Sequence, residues 1–170
     1  LFSINNEHIL ANDILRLARK YAINCHDALL PRYAGTHATS WALMNGESVH
    51  GITWHVVADK VDAGDILTQR TVNISKDETA LSLNAKCYEA AISAFDELIE
   101  DICFERAKRR KQDPAQRSFF PCYQRPKNGG IITWTHRADE ISLLVRALDF
   151  GPYPNALGKA KLAIEGEFFV

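Results

Sequence analysis

No apolar run in this 170-residue chain approaches the roughly 20 residues of a membrane-spanning helix, which excludes a transmembrane helix from the reading. Neither sign of charge prevails. Against 20 basic side chains stand 21 acidic ones, a formal net charge of -1, so no electrostatic surplus exists to grip DNA or an anionic membrane. Cysteine occurs four times, at Cys25, Cys87, Cys103 and Cys122, without C-x-x-C spacing or clustered histidines. That argues against a zinc site, any other metal centre or a disulfide framework, and for reduced thiols in a cytoplasm. The N-terminus lacks the charged and apolar segments of a secretory signal, and internal repeats and low-complexity tracts are missing too. The chain opens on Leu1-Phe2-Ser3-Ile4 and stops on Phe168-Phe169-Val170, so it reads as an excerpt of something longer.

What is present suits a soluble α/β domain. Hydrophobic residues make up 46% and charged ones 24%, enough to bury a core. After a short opening strand, Ile14, Leu15, Leu17, Ala18 and Tyr21 recur with helical spacing, capped by Asn12 or Asp13. Ala22-Ile23 then reads as a strand, giving a parallel strand-helix-strand crossover. A second helix from His37 ends at Asn45-Gly46, and Gly51 to Val57 and Asp65 to Val72 read as strands around a break at 59–64. Thr79 caps the longest helix, which runs to about Ala107. The basic run Arg106 to Lys111 reads as a solvated helix end in preference to a nucleic-acid patch, and the aperiodic stretch 108–130 as a linker. Ile131 to Trp134 resembles a strand, Thr135 a cap and Ala138 to Leu148 an amphipathic helix, the start of a second unit at 131–170. The first unit is 1–107.

The chemistry points to the triplet Asn24-Cys25-His26. In an open parallel sheet, ligands bind where strands end at their carboxyl edge, and this triplet follows Ile23 directly. Residues two apart on a strand share a face, so Asn24 and His26 look into one cleft while Cys25 points into the core as a buried small hydrophobe. A carboxamide and an imidazole suit a reaction in which negative charge develops on a carbonyl oxygen, and the imidazole also moves protons near neutral pH. The ordinary alternative is that Asn24 bonds local backbone and His26 is a half-buried surface residue. An acidic partner comes from the loop Ala58 to Asp65, where spacing does not choose among Asp59, Asp62 and Asp65, and where all three also fit a plain turn. His8 and His37 fit the same cleft; His55, alternating with Trp54, reads as a face-setting strand residue.

Taken in order, Asn24-x-His26, Leu29-Leu30-Pro31-Arg32-Tyr33-x-Gly35, Asn45-Gly46, Gly51-x-Thr53 and Val61-Asp62-Ala63-Gly64-Asp65-Ile66-Leu67 resemble the formyltetrahydrofolate-dependent formyltransferase family. The resemblance implies a catalytic trio of Asn24, His26 and Asp62, and so selects among the three acids. It implies 10-formyltetrahydrofolate as co-substrate, its pterin end lying against His8, Ile9 and Leu10 and against the loop backbone at Val57, Ala58, Asp59 and Val61. Some members carry arginine where this chain has His8. The implied fold is the C-terminal half of a Rossmann-like catalytic domain at 1–107, its first strands preceding Leu1, then at 131–170 the start of a small OB-like β-barrel domain. The phrases "LPRYAGTHATSWALMNGE" and "VRALDFGPYPN" further resemble formyltransferase domains fused to nonribosomal peptide synthetases. The implied partners are a small-molecule or carrier-bound amine and adjacent synthetase domains, with aminoacyl-tRNA the less favoured acceptor. Two rival functions share these residues: hydrolysis of 10-formyltetrahydrofolate to formate, and a folate-binding or docking module without turnover.

Overall fold

The computed structural model of the chain describes residues 1–6 and 8–170. Strands β1 (Phe2–Ser3) and β2 (Ile23–His26) pair in parallel, Phe2 opposite Ile23 and Ser3 opposite Asn24. Between them α1 (Asn12–Leu15) is a single turn, whereas the spacing predicts a helix to Tyr21. Ile14 is 40% and Leu17 77% exposed, while Leu15, Ala18 and Tyr21 are half-buried, so the apolar stripe is only partly covered. A short helix without a fully packed face is marginal in water, and the segment unwinds after one turn. Its N-cap position falls on Ala11 rather than on Asn12 or Asp13.

After β3 (Ala34–Gly35) comes α2 (Ala38–Met44), and then the long strands β4 (Val49–Val56) and β5 (Ile66–Asn73). At the end of α2 Gly46 takes the left-handed conformation that the Asn45-Gly46 pair predicts. The sheet order is β1-β2-β4-β5, and β4 is antiparallel to both neighbours. The sheet is therefore mixed: the loop at 57–65 is too short for the crossover that a parallel pair needs.

Helix α3 (Ala80–Cys103) covers one face of this sheet. It starts with a reciprocal cap in which Ser82 N donates to Thr79 Oγ1 at 3.2 Å and Thr79 N donates to Ser82 Oγ at 3.0 Å. Leu83, Cys87, Ala91, Ala94 and Leu98 recur at helical spacing and bury against Ile23, Ile52 and Trp54. That burial decides where the site lies. The cross-strand pairs are Asn24 with His55, Cys25 with Trp54, and His26 with Thr53. With Trp54 and Cys25 turned to α3, alternation turns Asn24, His26, Thr53 and His55 to the opposite face.

The stretch 108–130 lies along the molecule. Arg110 and Ile66 exchange backbone hydrogen bonds, a 3-10 turn at Pro114–Gln116 follows, and β6 (Phe119–Phe120) pairs in parallel with β3. Phe120 stacks on both Tyr33 and Trp41, with centroids at 5.5 and 4.9 Å. Then come β7 (Ile131–Ile132), α4 (Ala138–Leu148), β8 (Lys161–Ile164) and β9 (Glu167–Phe169). The α4 bounds match the periodicity, but the cap is Arg137, whose N–H donates to Glu140 Oε2 at 2.8 Å, and not Thr135. Leu148 and Leu157 close a second cluster with Trp41, Ala38 and Ala42. Strands β7, β8 and β9 form an open three-stranded sheet, and no closed barrel is found among the described residues. These strands are too few to close on themselves. The mixed α/β architecture holds, and no described helix is long and apolar enough to cross a membrane.

Candidate active site

Strand β2 delivers Asn24 and His26 to the sheet face away from α3, and β4 sets His55 opposite Asn24. Beyond β4 the chain turns, and Asp62 adopts a left-handed conformation at φ 49, which aspartate tolerates better than most residues. This swings its carboxylate back over the sheet. Asp62 Oδ2 stands 3.6 Å from His26 Nδ1, and Oδ1 stands 3.4 Å from His55 Nε2. Asn24 Nδ2 lies 3.3 Å from the same His55 nitrogen. Of the other acids in this loop, Asp59 lines the adjoining cavity, and the Asp65 carbonyl accepts the Val56 N–H at 2.9 Å.

Hydrogen-bond partners assign the ring nitrogens. His26 Nε2 donates to the Tyr33 carbonyl at 2.8 Å, leaving Nδ1 for the carboxylate. Tyr33 holds that carbonyl in place from a left-handed φ of 57, with its N–H on Ser118 Oγ at 2.7 Å and its phenol on Glu47 Oε1 at 2.7 Å. His55 Nδ1 donates to the Val56 carbonyl at 2.9 Å. In the neutral ring Nε2 accepts from Asn24; with a second proton it donates to Asp62. The loop after His26 is pinned by Thr53, whose hydroxyl donates to Ala28 O at 2.6 Å and accepts from Leu30 N at 3.1 Å.

The Asp62 side chain is 10% exposed. Burial alone pushes its carboxyl up, but the His55 hydrogen bond, the His26 charge and the Gly35 N–H, which donates to Oδ2 at 2.9 Å, outweigh burial and hold it at about 2. Asp62 is thus an ionised carboxylate between two imidazoles. A second carboxylate, Asp27, lies 3.7 Å from His26 Nδ1 and is 34% exposed. Burial first, and then the Asp27 charge, push the Cys25 thiol up to about 12, which removes it as a nucleophile.

A cavity of about 860 Å³ opens onto this cluster, a size that accommodates a drug-sized ligand. Asn24, His26, His55 and Asp62 line it, as do His8, Ile9, Leu10 and His37 and the loop residues Val57, Ala58 and Asp59, and it extends to Cys25, Trp54 and the α3 residues Tyr88 and Phe95. Val61, expected there, is not among the lining residues; it is 39% exposed, and its carbonyl accepts from Arg117 instead. Sequence reasoning missed His55, the Tyr33 carbonyl and the Gly35 N–H. The signal for His55 was its parity: with Trp54 committed to the core, its neighbour had to face the side that carries Asn24. The two backbone groups carry no side-chain signature at all.

The turn that carries Asp62 ends at Gly64, where a Cβ would lie 1.7 Å from the Val56 carbonyl oxygen. Gly64→Ala should therefore destabilise the protein by on the order of 1–3 kcal/mol, read as a lower denaturant midpoint. An unchanged midpoint would show that the turn has room.

A family model for formyl transferases matches residues 6–99, more than half of the chain. Among solved structures, a 4-N formyltransferase from Francisella tularensis matches with a TM-score of 0.83 at 23% identity, over 98% of this chain and 66% of that one. An N-formyltransferase from Helicobacter canadensis, in complex with folinic acid and dTDP-3-aminofucose, matches at 0.72 and 22%, over 86% and 53%. HypX from Aquifex aeolicus, in complex with tetrahydrofolic acid, matches at 0.79 and 18%, over 98% and 28%. At these identities the likeness establishes the fold, and this chain spans 66% or less of the length of each. The segment matched by the family model holds Asn24, His26, His55 and Asp62, and the chain belongs to the formyl transferase family.

Proposed function

We propose that this chain transfers a formyl group from 10-formyltetrahydrofolate to a primary amine. The carrying observation is the convergence of a carboxamide, an imidazole and a buried ionised carboxylate on one cavity, in a chain of the formyl transferase family. That the Helicobacter and Aquifex proteins are in complex with folinic acid and tetrahydrofolic acid supports a folate as the ligand of this cavity. His8, Ile9, Leu10, Val57, Ala58 and Asp59 are the residues that hold it.

Acyl transfer to an amine builds negative charge on the carbonyl oxygen and positive charge on the attacking nitrogen, so it needs donors for the one and a proton acceptor for the other. Asn24 Nδ2 and the Nδ1–H of protonated His26 are the donors; at 3.6 Å from Asp62 Oδ2 that N–H is paired with the carboxylate by charge and not by a hydrogen bond, and so can reach the substrate. When His55 takes its second proton it turns to Asp62 and releases the Asn24 amide to donate to the substrate oxygen. Asp62 pairs with the charged imidazoles and receives the amine proton through water. The balance is complete: the amine nitrogen bonds to the formyl carbon, the bond from that carbon to the folate nitrogen breaks, His26 delivers a proton to that nitrogen, and the proton shed by the amine leaves through Asp62.

The finer reading is an acceptor amine presented within a larger assembly such as a nonribosomal peptide synthetase. It is supported by the phrases at Leu30 to Glu47 and Val145 to Asn155. The test is mass spectrometry of products from 10-formyltetrahydrofolate with carrier-bound amino acids, free hydroxylated amino acids, amino sugars and aminoacyl-tRNA. One formyl group gained by an amine is the expected result; formate alone would make the protein a hydrolase and overturn the reading.

A further inference from the structure

We propose that the segment 110–120 is a catalytic strap, and that Gln112 and Arg117 are positioning residues acting on Asp62. The inference rests on the transferase reading. Gln112 Nε2 donates to the carbonyls of Asp62 at 2.9 Å and Gly64 at 2.7 Å. Arg117 donates to the Asp62 carbonyl at 3.2 Å and to the Val61 carbonyl at 2.7 Å. Two side chains from a distant stretch thus hold three carbonyls of the turn that places the carboxylate. A turn with a left-handed residue at its apex has few internal bonds of its own, and these contacts supply them.

The same strap holds the other side of the carboxylate. Gly35, whose N–H donates to Asp62 Oδ2, sits on β3, and β3 pairs with β6 at the strap's far end. A Cβ at Gly35 would lie 2.1 Å from the Phe120 carbonyl oxygen, so the strap passes as close as glycine allows. At its near end Arg110 is bridged to Ile66, just past the turn. Asp62 is fixed through its backbone by Gln112 and Arg117 of the strap, and through its carboxylate by Gly35 on the strand with which the strap pairs. Gln112 Oε1 finds no partner among the described residues, while Nε2 makes both bonds, so the residue acts here as a donor.

Gln112→Met keeps the length and removes only the donor; Arg117→Ala removes both guanidinium bonds, and Arg117→Lys retains one. Both positions are half-buried, and the denaturant midpoint of each variant separates a loss of fold from a loss of rate. In the full-length protein the first two should lower kcat by on the order of 10-fold with the KM for 10-formyltetrahydrofolate unchanged, and Arg117→Lys should recover most of the loss. Hydrogen exchange in the peptide 58–66 of the ligand-free protein should quicken in step. Unchanged exchange, a kcat at the wild-type value, or a rise in KM alone overturns the strap while leaving the transferase intact. A wild type inert toward 10-formyltetrahydrofolate with every acceptor overturns the functional reading itself.

Discussion

Replacing His26 with alanine should lower formyl transfer by on the order of 100- to 1,000-fold while 10-formyltetrahydrofolate still binds. The size of the effect follows from the geometry. His26 lines the cavity, its ring has a single orientation because Nε2 is committed to the Tyr33 carbonyl, and in the proposed mechanism its Nδ1–H both donates a hydrogen bond and delivers a proton. Asn24 remains as an oxyanion donor, so a residue of catalysis should survive. Folate binding should persist, because the residues assigned to it lie on the segment 8–10 and on the loop at 57–59. The substitution leaves the buried Tyr33 carbonyl without its donor, which costs about 1–3 kcal/mol and separates stability from rate. Single-turnover kinetics with a parallel measurement of folate affinity checks both halves. A rate within a few-fold of wild type would remove His26 from the chemistry.

The legible parts of the fold were those in which one physical preference acts alone. Helix α3 and strands β4 and β5 announce themselves because Leu83 to Leu98 and Ile52 to Trp54 repeat with the period of their element and bury on one side. Helix α1 carries the same kind of pattern and stops after one turn, with Ile14 and Leu17 left exposed; period predicts a face, and only packing supplies its partner. In the site, Asn24 and His26 were readable together because a spacing of two on a strand fixes a shared side. Asp62 was not readable from spacing. Which of three acids turns inward depends on a left-handed backbone at position 62 and on the close passage of Gly64 against Val56, and a list of loop residues expresses neither. There the family resemblance decided. The stretch 108–130 reads as a linker because it is aperiodic: its order comes from single side chains reaching backbone carbonyls and from a two-residue pairing, which leave no period behind.

Asp62→Asn should also lower turnover by on the order of 100-fold or more, without dismantling the loop. The asparagine oxygen still accepts from Gly35 N–H, and the strap contacts are to backbone, so what is lost is the negative charge between His26 and His55. In the proposed mechanism the two histidines then lose their counter-charge, and the attacking amine loses the base at the end of its water chain. The change should also appear in stability against pH. A carboxyl held at about 2 in the folded protein, below its ordinary value of 3.8, stabilises the fold at pH values above the ordinary one. That contribution, on the order of 2 kcal/mol, declines as pH falls from about 4 to about 2. Asp62→Asn has no such carboxyl to protonate, so the stability gap between the two proteins should be open above about pH 4 and should narrow as pH falls toward 2. Denaturant unfolding at a series of pH values measures it. A gap that stays constant down to pH 2 would mean that the histidines do not hold the charge of Asp62, and the catalytic role assigned to the pair would fall with it.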